Sequence, residues 1–235
     1  MKLKAAILLP VMFLAACGKG PVKTEVFADE MQYPAPGRPA DTLTVQISVE
    51  YPAASEPVAA AMTEAILNLV FDGETAENVA TMAERYEANL IDEFGDAGSG
   101  SWEERLSGFF SEPYKDYVNY YFEYYGFRGG AHGISSLTPI VFRRSTGEVL
   151  NELDILSVES LEVLPDLIQS RLLAALDGNR EDYDSVIQAA VTPNGCFEVG
   201  PEGITWYYQP GDIGPYSLGV VPVTVDWAAL KPYLR

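Results

Sequence analysis

The chain has 235 residues, which is enough for one large domain or two small ones. It carries 34 acidic against 15 basic residues, a formal net charge of −19, so its surface repels nucleic acid and anionic lipid and we expect no nucleic-acid partner. Hydrophobic residues make up 48% of the sequence, which is typical of a folded chain and argues against a disordered one.

The first sixteen residues predict a signal peptide. A basic start at Lys2 and Lys4 precedes an apolar run that is too short to cross a bilayer as a helix. Leu14-Ala15-Ala16-Cys17 then matches a lipobox, in which small residues fit the peptidase and the thiol carries a diacylglycerol. An ordinary signal peptide followed by a chance cysteine is the alternative. We expect residues 1–16 to be removed and an acylated Cys17 to anchor the protein to a membrane.

The residues after Cys17 suggest an address and a tether. Gly18 stands where an aspartate commonly retains lipoproteins at the inner membrane, so it favours the outer membrane over the inner. Residues 17–40 are rich in proline and glycine without periodicity, and we predict a tether there. Lipidation of Cys17 leaves Cys196 as the one remaining cysteine, so we expect no internal disulfide and a half-buried thiol.

A first lobe is predicted over residues 41–145. Alternation over 42–51 indicates a strand whose buried face is Leu43, Val45, Ile47 and Val49. Two helices at 56–71 and 75–94 follow, and then a glycine-rich loop. Eight aromatic residues within 114–127 predict a long strand, and a shorter one follows at 136–144. The tyrosines of the long strand could form a binding surface, although core packing is the favoured interpretation.

A second lobe is predicted over residues 146–235. Apolar spacing indicates two helices, at 159–176 and 183–190. Three short strands and a final helical turn complete the chain, at 197–199, 203–208, 219–225 and 227–233. This order is neither alternating βαβ nor all-β. It predicts an α+β fold of antiparallel sheets with helices packed on one side, in two small lobes that meet near Gly147.

Two motifs carry a family resemblance. The first is Gly129-Gly130-Ala131-His132-Gly133, followed by a strand, a Thr-Gly turn and Leu153-Asp154-Ile155-Leu156. The second is the segment 204–219, in which a strand runs into a Pro215-Tyr216 turn. From Asp41 onward the chain resembles the outer domain of RsiV-type anti-sigma factors and the N-terminal region of PdaC-type peptidoglycan deacetylases. Because the RsiV-type domain binds lysozyme, the resemblance implies a protein-binding role.

Catalytic chemistry has few candidate residues. His132 is the only histidine, whereas zinc deacetylases and proteases need at least two in a local motif. A triad of His132 with Ser135 or Ser136 is conceivable, but no Gly-x-Ser-x-Gly elbow is present, and the flanking glycines suggest a tight turn. Acidic pairs such as Glu103-Glu104 are expected to be solvated. We therefore expect no catalytic residue, no metal site and no cofactor.

The sequence thus predicts a monomeric, non-catalytic envelope lipoprotein that binds an extracytoplasmic ligand. A basic protein such as lysozyme fits the acidic charge, which would steer it toward the surface, and a cell-wall component is also possible. The tyrosine row and the two motifs give four candidate ligand-binding residues: Tyr124, His132, Tyr208 and Tyr216. A cell-wall glycan-modifying enzyme and a structural lipoprotein without a ligand are the alternatives.

Overall fold

The structure is a computed structural model that describes residues 22–72, 78–97 and 99–235. The predicted signal peptide, Cys17 and Gly18 lie outside the described residues. No helix in the described ranges is long and apolar enough to cross a membrane.

The predicted α+β fold class is confirmed. A six-stranded sheet has the order β1-β2-β3-β4-β5-β6, and a three-stranded sheet has the order β7-β8-β9. The strands are β1 (Thr24–Ala35), β2 (Arg38–Pro52), β3 (Trp102–Phe110), β4 (Tyr117–Phe127), β5 (Ile134–Arg143), β6 (Val149–Leu150), β7 (Phe197–Val199), β8 (Gly203–Tyr208) and β9 (Val221–Asp226). The α-helices are α1 (Ala59–Val70), α2 (Val79–Asp96), α3 (Leu164–Ala175), α4 (Arg180–Ser185) and α5 (Trp227–Leu230).

The chain divides into two compact units. The first unit comprises Met1–Phe110, as far as these residues are described, and Phe122–Ser135. The second unit comprises Ser111–Tyr121 and Ser136–Arg235. This division differs from the predicted lobes 41–145 and 146–235. The reason is that β4 and β5 each contribute residues to both units, so no single cut in the sequence can separate them.

In the first unit, α1 and α2 pack against β2. The predicted buried face of β2 is confirmed, since Leu43, Val45, Ile47 and Val49 are at most 2% exposed. Burying one such side chain stabilises the fold by about 1.5–3 kcal/mol relative to leaving it in water. Because two helices connect β2 to β3, these two strands can run parallel, and they do. The pairs β1 with β2, β5 with β6, β7 with β8 and β8 with β9 are antiparallel. The strand β3 was not among the predicted elements.

The predicted tether over 17–40 is wrong for its described residues from Thr24 onward. These residues form β1 and the start of β2, paired antiparallel from Thr24↔Pro52 to Ala35↔Arg38. The prolines that suggested a tether mark a hairpin instead. Pro36-Gly37 occupies the turn, where Gly37 takes a φ of 76° that a glycine adopts without strain.

The second unit has an apolar core between α3 and the smaller sheet. Its largest fully buried side chain is Trp206 of the central strand β8, and it packs with Phe197 of β7 at a ring-centroid distance of 6.4 Å. Leu164, Ile168 and Leu172 of α3 are completely buried at helical spacing. The predicted helix at 159–176 begins later as α3, after a 3₁₀ turn at Val158–Glu162, and carries a proline in its first turn.

Candidate functional site

A cleft of about 260 Å³ opens beside α2 in the first unit. One part of its lining is apolar and consists of Phe71, Met82 and Leu90. The other part is polar or charged and consists of Asp72, Arg85, Tyr86, Asn89, Glu93 and Arg128. A mixed lining of this kind suits a ligand with an apolar body and a polar group.

Helix α2 supplies most of the cleft because its residues recur at helical spacing. Met82, Tyr86, Leu90 and Glu93 are three or four residues apart and therefore share one face. The helix begins at a cap, in which the side chain of Asn78 accepts a hydrogen bond from the Thr81 amide at 3.0 Å. This cap fixes the start of the helix and thereby the position of its cleft-lining face.

A buried carboxylate lies beneath the cleft. The side chain of Glu104, from β3, is completely buried. Its Oε1 accepts from Arg128 Nε at 2.6 Å, and its Oε2 accepts from the Tyr86 hydroxyl at 3.2 Å. The Tyr124 hydroxyl also hydrogen-bonds to this carboxylate. A buried carboxylate is tolerated only when it is paired and hydrogen-bonded, and Glu104 satisfies both conditions.

Arg128 links this carboxylate to the surface. Its Nη1 donates to Glu93 Oε2 at 2.7 Å, and its guanidinium lies 5.4 Å from the ring centroid of Trp102. Trp102 is packed edge-on against Phe94 of α2 at 5.5 Å. Two carboxylates and an aromatic ring therefore hold the guanidinium in one place, and the cleft has a preorganised charged wall.

The two phenols of this network stay protonated at neutral pH. Burial and the charge of Glu104 raise the pKa of Tyr86 well above its usual value. Burial, together with the hydrogen bond to Glu104, raises the pKa of Tyr124 to about 12. Both phenols thus act as hydrogen-bond donors to the carboxylate. Their hydroxyl groups keep a fixed orientation toward Glu104.

The structure places two predicted site residues in the first unit. Tyr124 of β4 belongs to the network below the cleft through its bond to Glu104. His132 lies exposed in the loop between β4 and β5, with its Nδ1 at 3.0 Å from the carbonyl oxygen of Gly133. Gly129 and Gly130 have φ values of 84° and 111°, so this loop has the positive φ that the flanking glycines predicted.

The other two predicted site residues belong to the second unit. Tyr208 is 1% exposed, and its hydroxyl donates to the carbonyl oxygen of Thr192 at 2.9 Å. Its role is in the core, so the ligand-binding prediction for Tyr208 is corrected: a buried ring has no surface to offer a ligand. Tyr216 is 41% exposed at the start of a 3₁₀ turn. Cys196 has the half-buried position expected from the sequence.

The buried carboxylate of Glu104 was not predicted from the sequence. Glu104 was grouped with Glu103 as a solvated acidic pair, whereas it shares the buried face of β3 with Leu106. The available signal was Arg128, a basic residue directly after an aromatic strand in a chain that has few basic residues. Within the described ranges, no group of three or more histidine, cysteine or acidic side chains is placed to hold a metal ion.

The chain is similar to proteins of one family, and that family is described as having unknown function. Residues 154–228 match the family described as "Protein of unknown function (DUF3298)", and no curated protein matches the chain. The fold is similar to that of a DUF3298-family protein from Bacteroides fragilis, with a TM-score of 0.80 and 21% identity over 92% of this chain and 94% of that one.

A DUF3298-family protein from Pseudomonas aeruginosa is also similar, with a TM-score of 0.73 and 22% identity over 92% of this chain and 95% of that one. At these identities the likeness establishes the fold. This chain therefore carries a DUF3298 match within its second unit and shares its fold with two proteins of that family.

Proposed function

We propose that this protein is a non-catalytic lipoprotein of the bacterial cell envelope that binds a basic extracytoplasmic partner. The observation that carries the proposal is the distribution of acidic side chains. Of the carboxylates in the described ranges, only Glu87 and Glu104 are buried. The remaining acidic residues lie at or near the surface, where their field attracts a basic partner and raises the rate of encounter.

The basic side chains do little to interrupt this acidic surface. Ion pairs join arginines to nearby carboxylates in both units: Arg38 with Asp41, Arg105 with Glu103, Arg128 with Glu93, Arg143 with Glu148, and Arg171 with Asp226. Positive charge is thus found beside negative charge. The chain has 34 acidic and 15 basic residues, so a net charge of −19 remains to attract a basic partner.

The resemblance to RsiV-type domains makes lysozyme the first partner to test. The motif at 204–219 that contributes to this resemblance lies entirely within the DUF3298 match at 154–228. The mature chain with Cys17→Ser would be titrated with lysozyme at about 0.01 M and about 1 M salt, where the Debye length falls from about 30 Å to about 3 Å.

We expect tight binding at low salt and much weaker binding at high salt. Succinylated lysozyme, whose lysines carry negative charge, serves as the control and should not bind. Absence of lysozyme binding at both salt concentrations would refute lysozyme as the partner. Binding of succinylated and unmodified lysozyme with equal affinity would refute the electrostatic basis of the proposal.

The proposed anchor is tested separately from the proposed partner. The lipobox ending at Cys17 supports acylation at that residue, and Gly18 favours the outer membrane. Cells fed labelled palmitate should label the wild-type protein and a Cys196→Ser control, but not Cys17→Ser. Membrane fractionation should then place the labelled protein in the outer membrane. Label on Cys17→Ser would contradict the anchor.

A further inference from the structure

Strand β1 forms an edge of the six-stranded sheet. It pairs with β2 along its whole length, and the strand order places no described strand on its other side. It is 12 residues long, about twice the usual length of a strand. An edge strand presents a row of backbone N–H and C=O groups to any extended chain that can reach it.

Three observations show which residues of β1 direct their backbone groups outward. The Lys23 carbonyl, just before β1, accepts from the Ala53 amide at 2.8 Å and so faces β2. The Glu30 amide donates to Asp29 Oδ1 at 2.9 Å and so faces away from β2. Pro34 has no N–H and is tolerated at an outward position. The direction of the backbone N–H and C=O groups alternates from one residue to the next along a strand. The backbone groups of the even-numbered residues of β1 therefore point away from β2.

The outward backbone groups of the even-numbered residues from 26 to 32 form a short row of hydrogen-bonding sites, which we call the docking ladder. Val26, Ala28, Glu30 and Gln32 all have exposed side chains, and Val26 is 46% exposed. The ladder ends at Pro34, which offers no donor. It therefore spans residues 26–32, which matches an extended segment of about seven residues at about 3.4 Å per residue.

The charge of β1 selects the occupant. Thr24–Ala35 contains three acidic residues, Glu25, Asp29 and Glu30, and no basic one. A second copy of this chain would bring like charges together across the new pair of strands, which is destabilising. A segment with lysine or arginine would instead form opposite-charge pairs with the same three carboxylates.

We propose that an extended basic segment of a partner protein adds to β1 as a further strand. The segment hydrogen-bonds to the backbone of Val26, Ala28 and Gln32. Basic side chains on one face of the segment pair with Glu25 and Asp29, and basic side chains on its other face pair with Glu30. This inference rests on the proposed function and names the surface at which the basic partner binds. Strand addition gives affinity through the main chain and specificity through alternate side chains.

Asp29 regulates access to this ladder. By accepting from the Glu30 amide, its carboxylate occupies one of the outward donors. A charged side chain at an edge is a common protection against unwanted pairing. A basic side chain that draws the Asp29 carboxylate into an ion pair releases this donor, so a basic segment opens the ladder that a neutral segment finds partly closed.

The first test uses a defined probe, an eight-residue peptide with the repeat Lys-Lys-Val-Val, which places lysines on both faces of an extended strand. Peptide binding to the full mature chain with Cys17→Ser should slow hydrogen exchange at the amides of Val26, Ala28 and Gln32. A peptide methylated at alternate backbone nitrogens keeps its charge but cannot form the ladder, and it should not bind. Equal binding of the two peptides, or binding without protection of these amides, would overturn the inference.

Two variants test the edge itself. Ala28→Pro removes one outward donor and leaves the pairing with β2 intact, so it should weaken peptide binding about tenfold. Glu30→Lys should also weaken binding about tenfold at low salt, whereas Glu162→Lys, the same charge change on the exposed surface of the second unit, should change it about twofold or less. The hydrogen-exchange result on the wild-type chain decides the matter if Ala28→Pro does not fold.

The two proposals fail in different ways. If lysozyme binds with the expected salt dependence but Ala28→Pro and Glu30→Lys bind lysozyme as well as the wild type does, and the peptide leaves β1 unprotected, the proposed function stands and the β1 surface is wrong. If neither lysozyme nor the peptide binds, both are wrong. If the peptide protects β1 and lysozyme does not bind, the edge stands and the partner is a different basic protein.

Discussion

The two units are stabilised by different kinds of interior. The first unit has an apolar layer between β2 and its helices, but it also buries the carboxylate of Glu104 against Arg128 and two phenols. The second unit has an apolar core centred on Trp206. Tyrosines show the difference: Tyr124 hydrogen-bonds to a buried charge, whereas Tyr208 donates to a backbone carbonyl. A tyrosine in the sequence therefore does not tell which kind of interior surrounds it.

The largest expected effect comes from removing the centre of the apolar interior. Trp206→Ala should lower the free energy of unfolding by about 4 kcal/mol, because it removes buried surface and leaves a cavity. It also removes the Nε1 donor that bonds to Glu152 at 3.2 Å. Chemical denaturation followed by circular dichroism would measure the loss.

The matched control for Trp206→Ala is Tyr216→Ala, an aromatic residue of the same unit that is 41% exposed. It should cost about 1 kcal/mol or less, as surface substitutions usually do. Equal losses from the two variants would contradict the view that the second unit depends on its closed core.

The second prediction concerns the charged interior of the first unit. Arg128→Met should lower the free energy of unfolding by about 3 kcal/mol, because Glu104 then remains buried without its ion-pair partner. Arg105→Met is the control, since the Arg105–Glu103 pair has side chains that are 52% and 40% exposed. An exposed pair contributes about 1 kcal/mol or less.

A double variant separates pairing from packing at this site. If Arg128→Met destabilises because it leaves Glu104 charged and unpaired, then adding Glu104→Gln should recover part of the loss. No recovery would mean that Arg128 acts through its contact with the Trp102 ring, which lies 5.4 Å from the guanidinium.

Much of the fold was predictable because its apolar periodicity is regular. Leu43, Val45, Ile47 and Val49 alternate without exception, and the strand they predict is present. The strand β3 was missed because its buried face carries Glu104 where an apolar residue is expected. The hairpin of β1 and β2 was missed because its prolines also suit a tether, and only the pairing with β2 shows which applies.

The candidate site was less predictable, since it depends on pairings between distant parts of the chain. Glu104 is 24 residues from Arg128 and 18 from Tyr86, and no local pattern connects them. Tyr124 was predicted to bind a ligand as part of an exposed row of tyrosines, whereas the structure shows its hydroxyl hydrogen-bonded to the buried Glu104. The loop at His132 was predictable because adjacent glycines with positive φ are a local property.

A third prediction tests the phenol network by pH. The pKa of Tyr124 rises from 10.0 to about 12 in the folded protein, so the folded state holds more protons than the unfolded state between these values. The stability that this phenol contributes is complete below pH 10 and is lost as the pH rises toward 12. Tyr124→Phe should therefore lose less stability than the wild type over this range, as urea denaturation would show. An identical pH dependence in both proteins would contradict the network.

The last prediction concerns the reactivity of the Cys196 thiol, which tests how well the second unit shields this side chain from solvent. Burial raises the pKa of the Cys196 thiol from 9.0 to about 11, so the thiolate is about a hundredfold rarer in the folded protein than in the unfolded one at neutral pH. In a chain with Cys17→Ser, a thiol reagent should therefore modify Cys196 about a hundredfold more slowly without denaturant than with it. Reaction at similar rates in the two states would mean that the second unit opens readily around Cys196.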